Sequence, residues 1–146
     1  MKKYGHEDID FLQCIYKNAE MGIIGIDNVI NKVKDDKLKE FLKKERNEYD
    51  RICEEARLML KKAEKPLETI GLMSKMSTKM MTDMILFRED RGEIVVKMML
   101  EGTNKGIIEI VEKINAYNNS DSKIMNLAKK LKKILENNIE ELKKFL

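Results

Sequence analysis

Four stretches of the chain carry apolar residues at alternating spacings of three and four, the period of one helix face. The only proline, Pro66, falls between the second stretch and the third. A helix with one apolar stripe has to bury it against other helices, and no proline interrupts any of the four stripes. The pattern therefore predicts an all-α bundle. The first helix is expected over residues 7–33, with Leu12, Ile15, Ala19, Gly22, Ile26, Val29 and Val33 inward and Ile9, Tyr16, Ile23 and Ile30 flanking them. The second is expected over 37–64, with Leu38, Phe41 or Leu42, Tyr49, Ile52, Ala56, Met59 and Ala63 inward. The third covers 92–117, with Val96, Leu100, Thr103, Ile107, Ile110, Ile114 and Tyr117 inward, and the fourth covers 122–145, with Ile124, Leu127, Leu131, Ile134, Asn138, Leu142 and Phe145 inward.

A chain of 146 residues with 42% hydrophobic content suits one domain, residues 1–146, with a core of its own. Aromatic residues make up 5% and Trp is absent, so Ile, Leu, Met and Val must fill that core. The formal charge is only +3 with acids and bases interleaved, which gives no steering toward nucleic acid. The longest apolar run, Met21 to Ile26, is far too short to span a bilayer. Lys2 and Lys3 lead into Tyr4, Gly5 and charged residues, not into the apolar stretch of a secretory signal. A cytoplasmic location is expected. Cys14 and Cys53 are the two cysteines, too few for a disulfide framework, and neither lies in a CxxC pair.

The connections bear on topology. Helices one and two are separated by Lys34, Asp35 and Asp36, and helices three and four by Asn118, Asn119 and Ser120. Links this short make antiparallel neighbours. The segment 65–91 is long enough, if partly helical, to run about 30–40 Å, the length of a bundle helix. It is expected to cross the bundle so that helices two and three are parallel; a five-helix up-and-down packing is the alternative. Gly22-Ile23-Ile24 and Gly106-Ile107-Ile108 are each followed by Ile at the same spacings, which would suit a duplicated hairpin or two independent Ile-rich helices.

Several residues break these patterns. Glu45 and Glu48 interrupt the second stripe in mid-helix, and of all the acidic side chains Glu45 is the best placed for burial. The default for such residues is a structural salt bridge, with Lys44, Arg46, Arg51 and Lys105 close in sequence. Gly22, Gly25, Gly102 and Gly106 each cost a helix roughly 1 kcal/mol relative to Ala. They either let helices approach closely or leave room for a small ligand beside the backbone. Met73, Met76, Met80 and Met84 form a row in 65–91 that suits adaptable packing, a surface for a protein partner or a second copy of the chain, or soft ligation of Cu(I).

Two antiparallel hairpins with a long link, and the stretches Lys17-Asn18-Ala19-Glu20-Met21-Gly22 and Met99-Leu100-Glu101-Gly102-Thr103, resemble the small ferritin-like four-helix bundles of bacteria. What that resemblance implies is a carboxylate-bridged iron or manganese pair. Its ligands come as one Glu from each of two helices and Glu-x-x-His from each of the other two. Carried onto this chain, the candidates are Glu20, Glu45, Glu48, Glu101 and Glu136. With a crossover, Glu20, Glu48, Glu101 and Glu136 fall near one level of the bundle. The chain departs from the motif: its one histidine is His6, and Glu45-x-x-Glu48 stands where Glu-x-x-His would. An all-carboxylate cluster would hold hard cations such as Mg²⁺, Ca²⁺ or Mn²⁺. Di-iron oxidase chemistry is disfavoured by the missing histidines. There is no Gly-rich phosphate loop and no Ser/His/Asp set. The expected function is therefore non-enzymatic, a ferritin-like bundle that binds a partner or ligand; the alternative is a carboxylate-rich metal-binding protein.

Overall fold

The computed structural model describes residues 4–63, 92–117 and 121–146. All its long elements are helices: α1 (His6–Val29), α2 (Asp36–Lys62), α3 (Gly92–Ala116) and α4 (Ser122–Lys143). The expected all-α class holds, and helix limits fall within a few residues of those read from the sequence. The largest difference is at the end of α1, which the spacing carried to Val33. The α-helix stops at Val29 and tightens into a 3-10 turn, Ile30–Lys32, a common way for a helix end to satisfy its last carbonyls. The segment 65–91, with its Met73, Met76, Met80 and Met84 row, lies outside the described residues, as do Asn118, Asn119 and Ser120. No described helix is long and apolar enough to cross a membrane.

The starts of α1, α2 and α4 have local reasons. Asp35 Oδ1 accepts from the backbone N–H of Lys37 and Leu38 at 2.8 and 3.2 Å. Asp121 Oδ1 accepts from Lys123 and Ile124 at 3.0 and 3.1 Å. At α1 the Asp8 carboxylate reaches back to the Gly5 N–H at 2.9 Å. Such caps use N–H groups that the helix leaves without partners.

Side-chain pairings set the helix directions. Asp27 meets Arg46, Gly22 meets Tyr49, and Cys53 meets the Tyr16 carbonyl, so α1 and α2 are antiparallel. Tyr117 meets Asp8, Lys113 meets Asp10, and Asn18 meets Gly106, so α3 is also antiparallel to α1. Asn138 meets Tyr49 and Lys130 meets Glu55, so α4 opposes α2. It follows that α2 and α3 point the same way. Gly92, where α3 begins, lies beside Leu38 near the start of α2, and Ala63 ends at the other end of the bundle. The most extensive packing is within the pairs α1–α2 and α3–α4; the α1–α3 seam is looser.

The stripes meet in one hydrophobic core. Leu12, Ile15 and Ile26 of α1, Leu42, Ile52 and Leu60 of α2, Ile110 of α3, and Ile124, Leu131 and Leu142 of α4 are fully buried in it. Each is worth roughly 1.5–3 kcal/mol of burial. Near the start of α1 the seam with α3 is closed by Tyr117. Its ring meets Phe11 edge-on at 4.6 Å between centroids, and its hydroxyl donates to the Asp8 carboxylate. The variant Tyr117→Phe keeps the ring contact and loses only that bond. It should lower stability by about 1–3 kcal/mol, read as a lower urea midpoint at unchanged slope. An unchanged midpoint would show that the bond contributes nothing.

Candidate functional site

On both sides of Asn18 the α1–α3 seam opens into a groove. Asn18 Nδ2 donates to the Gly106 carbonyl at 3.0 Å, holding the two backbones close there. Around this contact lies a half-open cavity of about 630 Å³, within the range of small-molecule sites. Its walls are the facing sides of α1 and α3, and all four mid-helix glycines line it. Charged residues of both helices also line it, Asp10 and Lys17 from α1 and Lys105, Glu109 and Lys113 from α3. Its floor is buried residues from the far helices: Glu45 and Tyr49 of α2, and Leu135 of α4.

The four glycines do different things. A Cβ on Gly22 would sit 2.6 Å from the Tyr49 ring, so the ring lies directly against bare backbone. A Cβ on Gly106 would come 3.2 Å from Asn18 Oδ1. At Gly25 and Gly102 nothing lies within 4 Å of where a Cβ would stand. Close approach explains the first pair. The second pair borders open space inside the groove. Gly25→Ala and Gly102→Ala should each stabilise the protein by about 0.5–1 kcal/mol through helix propensity alone. Gly22→Ala should destabilise it, because Tyr49 is 1% exposed and cannot swing away. Thermal unfolding of the three variants checks this; a loss of stability at Gly25 or Gly102 would mean the space is not free.

Glu45 is 0% exposed, and the Tyr49 hydroxyl is the polar group beside its carboxyl. Burial pushes its carboxyl up to about 7; the Tyr49 hydroxyl holds it down in part, and the charge of Glu48 adds to the rise. The polar groups around it are already engaged with one another. Asn138 Nδ2 donates to the Tyr49 hydroxyl at 3.3 Å, and Thr103 Oγ1 donates to the Met99 carbonyl at 2.6 Å, its own preceding turn. Burial raises the Tyr49 phenol far above its ordinary range, with the Glu45 charge adding to it. The salt bridge expected for Glu45 goes elsewhere: Arg46 pairs with Asp27 at 2.7 and 3.1 Å.

The consequence for stability has a definite sign. The Glu45 carboxyl binds its proton more tightly folded than unfolded, so its contribution is favourable at low pH. That contribution is lost as pH rises from about 4.5 through about 7. Relative to the native chain, Glu45→Gln should gain about 3 kcal/mol over that window, measured as the difference in unfolding free energy between the two proteins at pH 4.5 and pH 8. A difference that does not change with pH would rule out the raised pKa.

The other acidic candidates do not join Glu45. Glu20 and Glu48 are half-buried, while Glu101 and Glu136 are exposed; Glu136 stands 3.9 Å from Lys132. Among the described residues no three His, Cys, Asp or Glu side chains gather into a group able to hold a metal ion. Position along the helix axes placed four of these residues at one level, but rotation about the axes turns Glu101 and Glu136 outward. Cys14 and Cys53 are both free. Burial raises the Cys14 thiol, and burial together with the charges of Glu20 and Asp50 pushes Cys53 up to about 12. Both are protonated at neutral pH and poor nucleophiles. His6 is exposed at the first position of α1. The lysine run of α4 is a solvated face, with Lys130 reaching Glu55 at 3.0 Å.

No family model, curated protein or solved structure matches this chain.

Proposed function

We propose that the protein is a non-enzymatic helical bundle, ferritin-like in topology with 65–91 as its crossover, that binds a small, largely apolar ligand between α1 and α3. The observation that carries the binding reading is the cavity itself. It holds about 630 Å³ of space and is bordered by two glycines with no steric need to be glycine. The parallel run of α2 and α3 supports the ferritin-like topology. A carboxylate-metal centre is the weaker reading, because no described acidic cluster exists to hold one.

The ligand site is tested with the neutral fluorophore N-phenylnaphthylamine. It should bind with enhanced emission at one site per chain. Leucine at the open positions, Gly25→Leu with Gly102→Leu, should fill the groove and weaken binding at least tenfold while helix content by circular dichroism is unchanged. Absence of binding to the native protein, or equal binding to the filled variant, would discard the cavity as a site.

A further inference from the structure

Resting on that reading, we infer that the ligand is a medium-chain fatty acid, its tail lying along the groove toward Val29 and its carboxylate held between Lys17 and Lys105. The walls of the cavity change character along their length. Lys113 meets Asp10 and Asn18 meets Gly106, which fixes the levels at which α1 and α3 stand opposite each other. The charged residues of the walls all fall at one end, between Asp10 and Lys17 on α1 and between Lys105 and Lys113 on α3. Beyond them the lining is uncharged, with Met21, Gly25 and Val29 from α1 and Met98, Met99 and Gly102 from α3. The polar groups beneath that half are engaged inside the protein. Thr103 Oγ1 donates to the Met99 carbonyl, and the Tyr49 hydroxyl lies with Asn138 and Glu45. One half of the groove is thus charged and the other apolar, the polarity of an amphiphile.

Dimensions select the tail. The lining runs from Asp10 to Val29, about 28 Å of helix, so the volume of about 630 Å³ leaves an average section of roughly 20 Å². That suits one extended hydrocarbon chain and not two side by side. The uncharged part, from Met21 to Val29, is about 12 Å long, which suits a chain of medium length. Charge selects the head. Lys17 and Lys105 each stand one residue before a partner of the Asn18–Gly106 hydrogen bond. They therefore sit at one level on opposite walls, where the uncharged half begins. Asp10 is matched by Lys113 at 2.8 Å, and among the described residues Lys105 makes no ion pair. Glu109 is one turn farther from the tail. A carboxylate between the two lysines gains charge-assisted contacts, whereas an ammonium would meet like charges. Glu45 precedes Arg46, which pairs with Asp27. Its carboxyl therefore lies about 13 Å along the axis from Asn18, beneath the tail and away from the head.

The test compares octanoate, octanol and octylamine by isothermal titration with the full chain. The three share one hydrocarbon body, so octanol reports the cavity and the differences report the lysines. Octanoate should bind about fivefold more tightly than octanol, with octylamine the weakest. In the double variant Lys17→Gln with Lys105→Gln that preference should vanish while octanol binding is unchanged. Lys105 is exposed, so Lys105→Gln alone leaves the packing intact and should already remove part of the preference. From hexanoate to decanoate, affinity should rise about fourfold per methylene, then level off in longer acids as the tail outgrows the uncharged half. Equal binding of octanoate and octanol, tighter binding of octylamine, a preference that survives the double variant, or a rise with chain length that never levels off would each overturn the inference and leave the cavity standing. Failure of all the compounds to bind would instead overturn the cavity as a ligand site.

Discussion

Tyr49 is the side chain around which the middle of the bundle is arranged. It is among the largest fully buried groups, it belongs to α2, and it touches two other helices in different ways. Its ring lies on the bare backbone of α1 at Gly22. Its hydroxyl accepts from Asn138 of α4. A ring this size can be accommodated at a helix contact only if one partner gives up its side chain, and Gly22 does so. The preceding turn of α2 carries Glu45, four residues earlier and therefore on the same face. The residue that packs α2 onto α1 thus also brings a carboxyl group into the apolar centre.

The seam between α1 and α3 is held at separate points along its length. The α1–α2 and α3–α4 pairs pack extensively. Between α1 and α3 the ties are discrete: Tyr117 with Phe11 and Asp8, Lys113 with Asp10, and Asn18 with the Gly106 carbonyl. The Lys113–Asp10 pair is solvent-exposed and worth little. The other two are buried or partly buried, and they fix the spacing of the backbones at two levels. A groove held by fixed points on its length is preformed, so a ligand entering it loses less to ordering the protein than it would at a mobile surface.

Much of this was legible in the sequence. Three- and four-residue spacing located the four helices because burial of a continuous stripe dominates helix placement. Asp35 and Asp36 were equally able to cap the start of α2, and Asp35 does so. Glu45 stood out as an acid inside an apolar stripe, and it is buried. The cavity was not legible, because a glycine in a helix reads the same whether it admits a neighbour or leaves a space. Gly22 and Gly25 are three residues apart on one helix, yet only coordinates separate the one pressed by Tyr49 from the one facing open groove. The grouping of Glu20, Glu48, Glu101 and Glu136 rested on their depth, although Glu20 and Glu101 lie at the margin of their apolar stripes. Sequence gives depth well and azimuth less well, and Glu101 and Glu136 have the wrong azimuth.

The same distinction bears on what Glu45 is for. As a purely structural residue it would be a poor choice: a Leu or Met at this position would bury more apolar surface and would need no partner. A carboxyl group that served stability would be expected to hold a salt bridge, yet the nearest basic residue in sequence, Arg46, turns away to Asp27. One that served as a general acid or base would need a reactive partner within reach. The thiols of the bundle are held protonated by burial, and no histidine stands nearby, His6 being exposed at the start of α1. What the position does offer is an acid held beside the Tyr49 hydroxyl at the centre of the packing, which binds its proton more tightly in the folded chain than in the unfolded one.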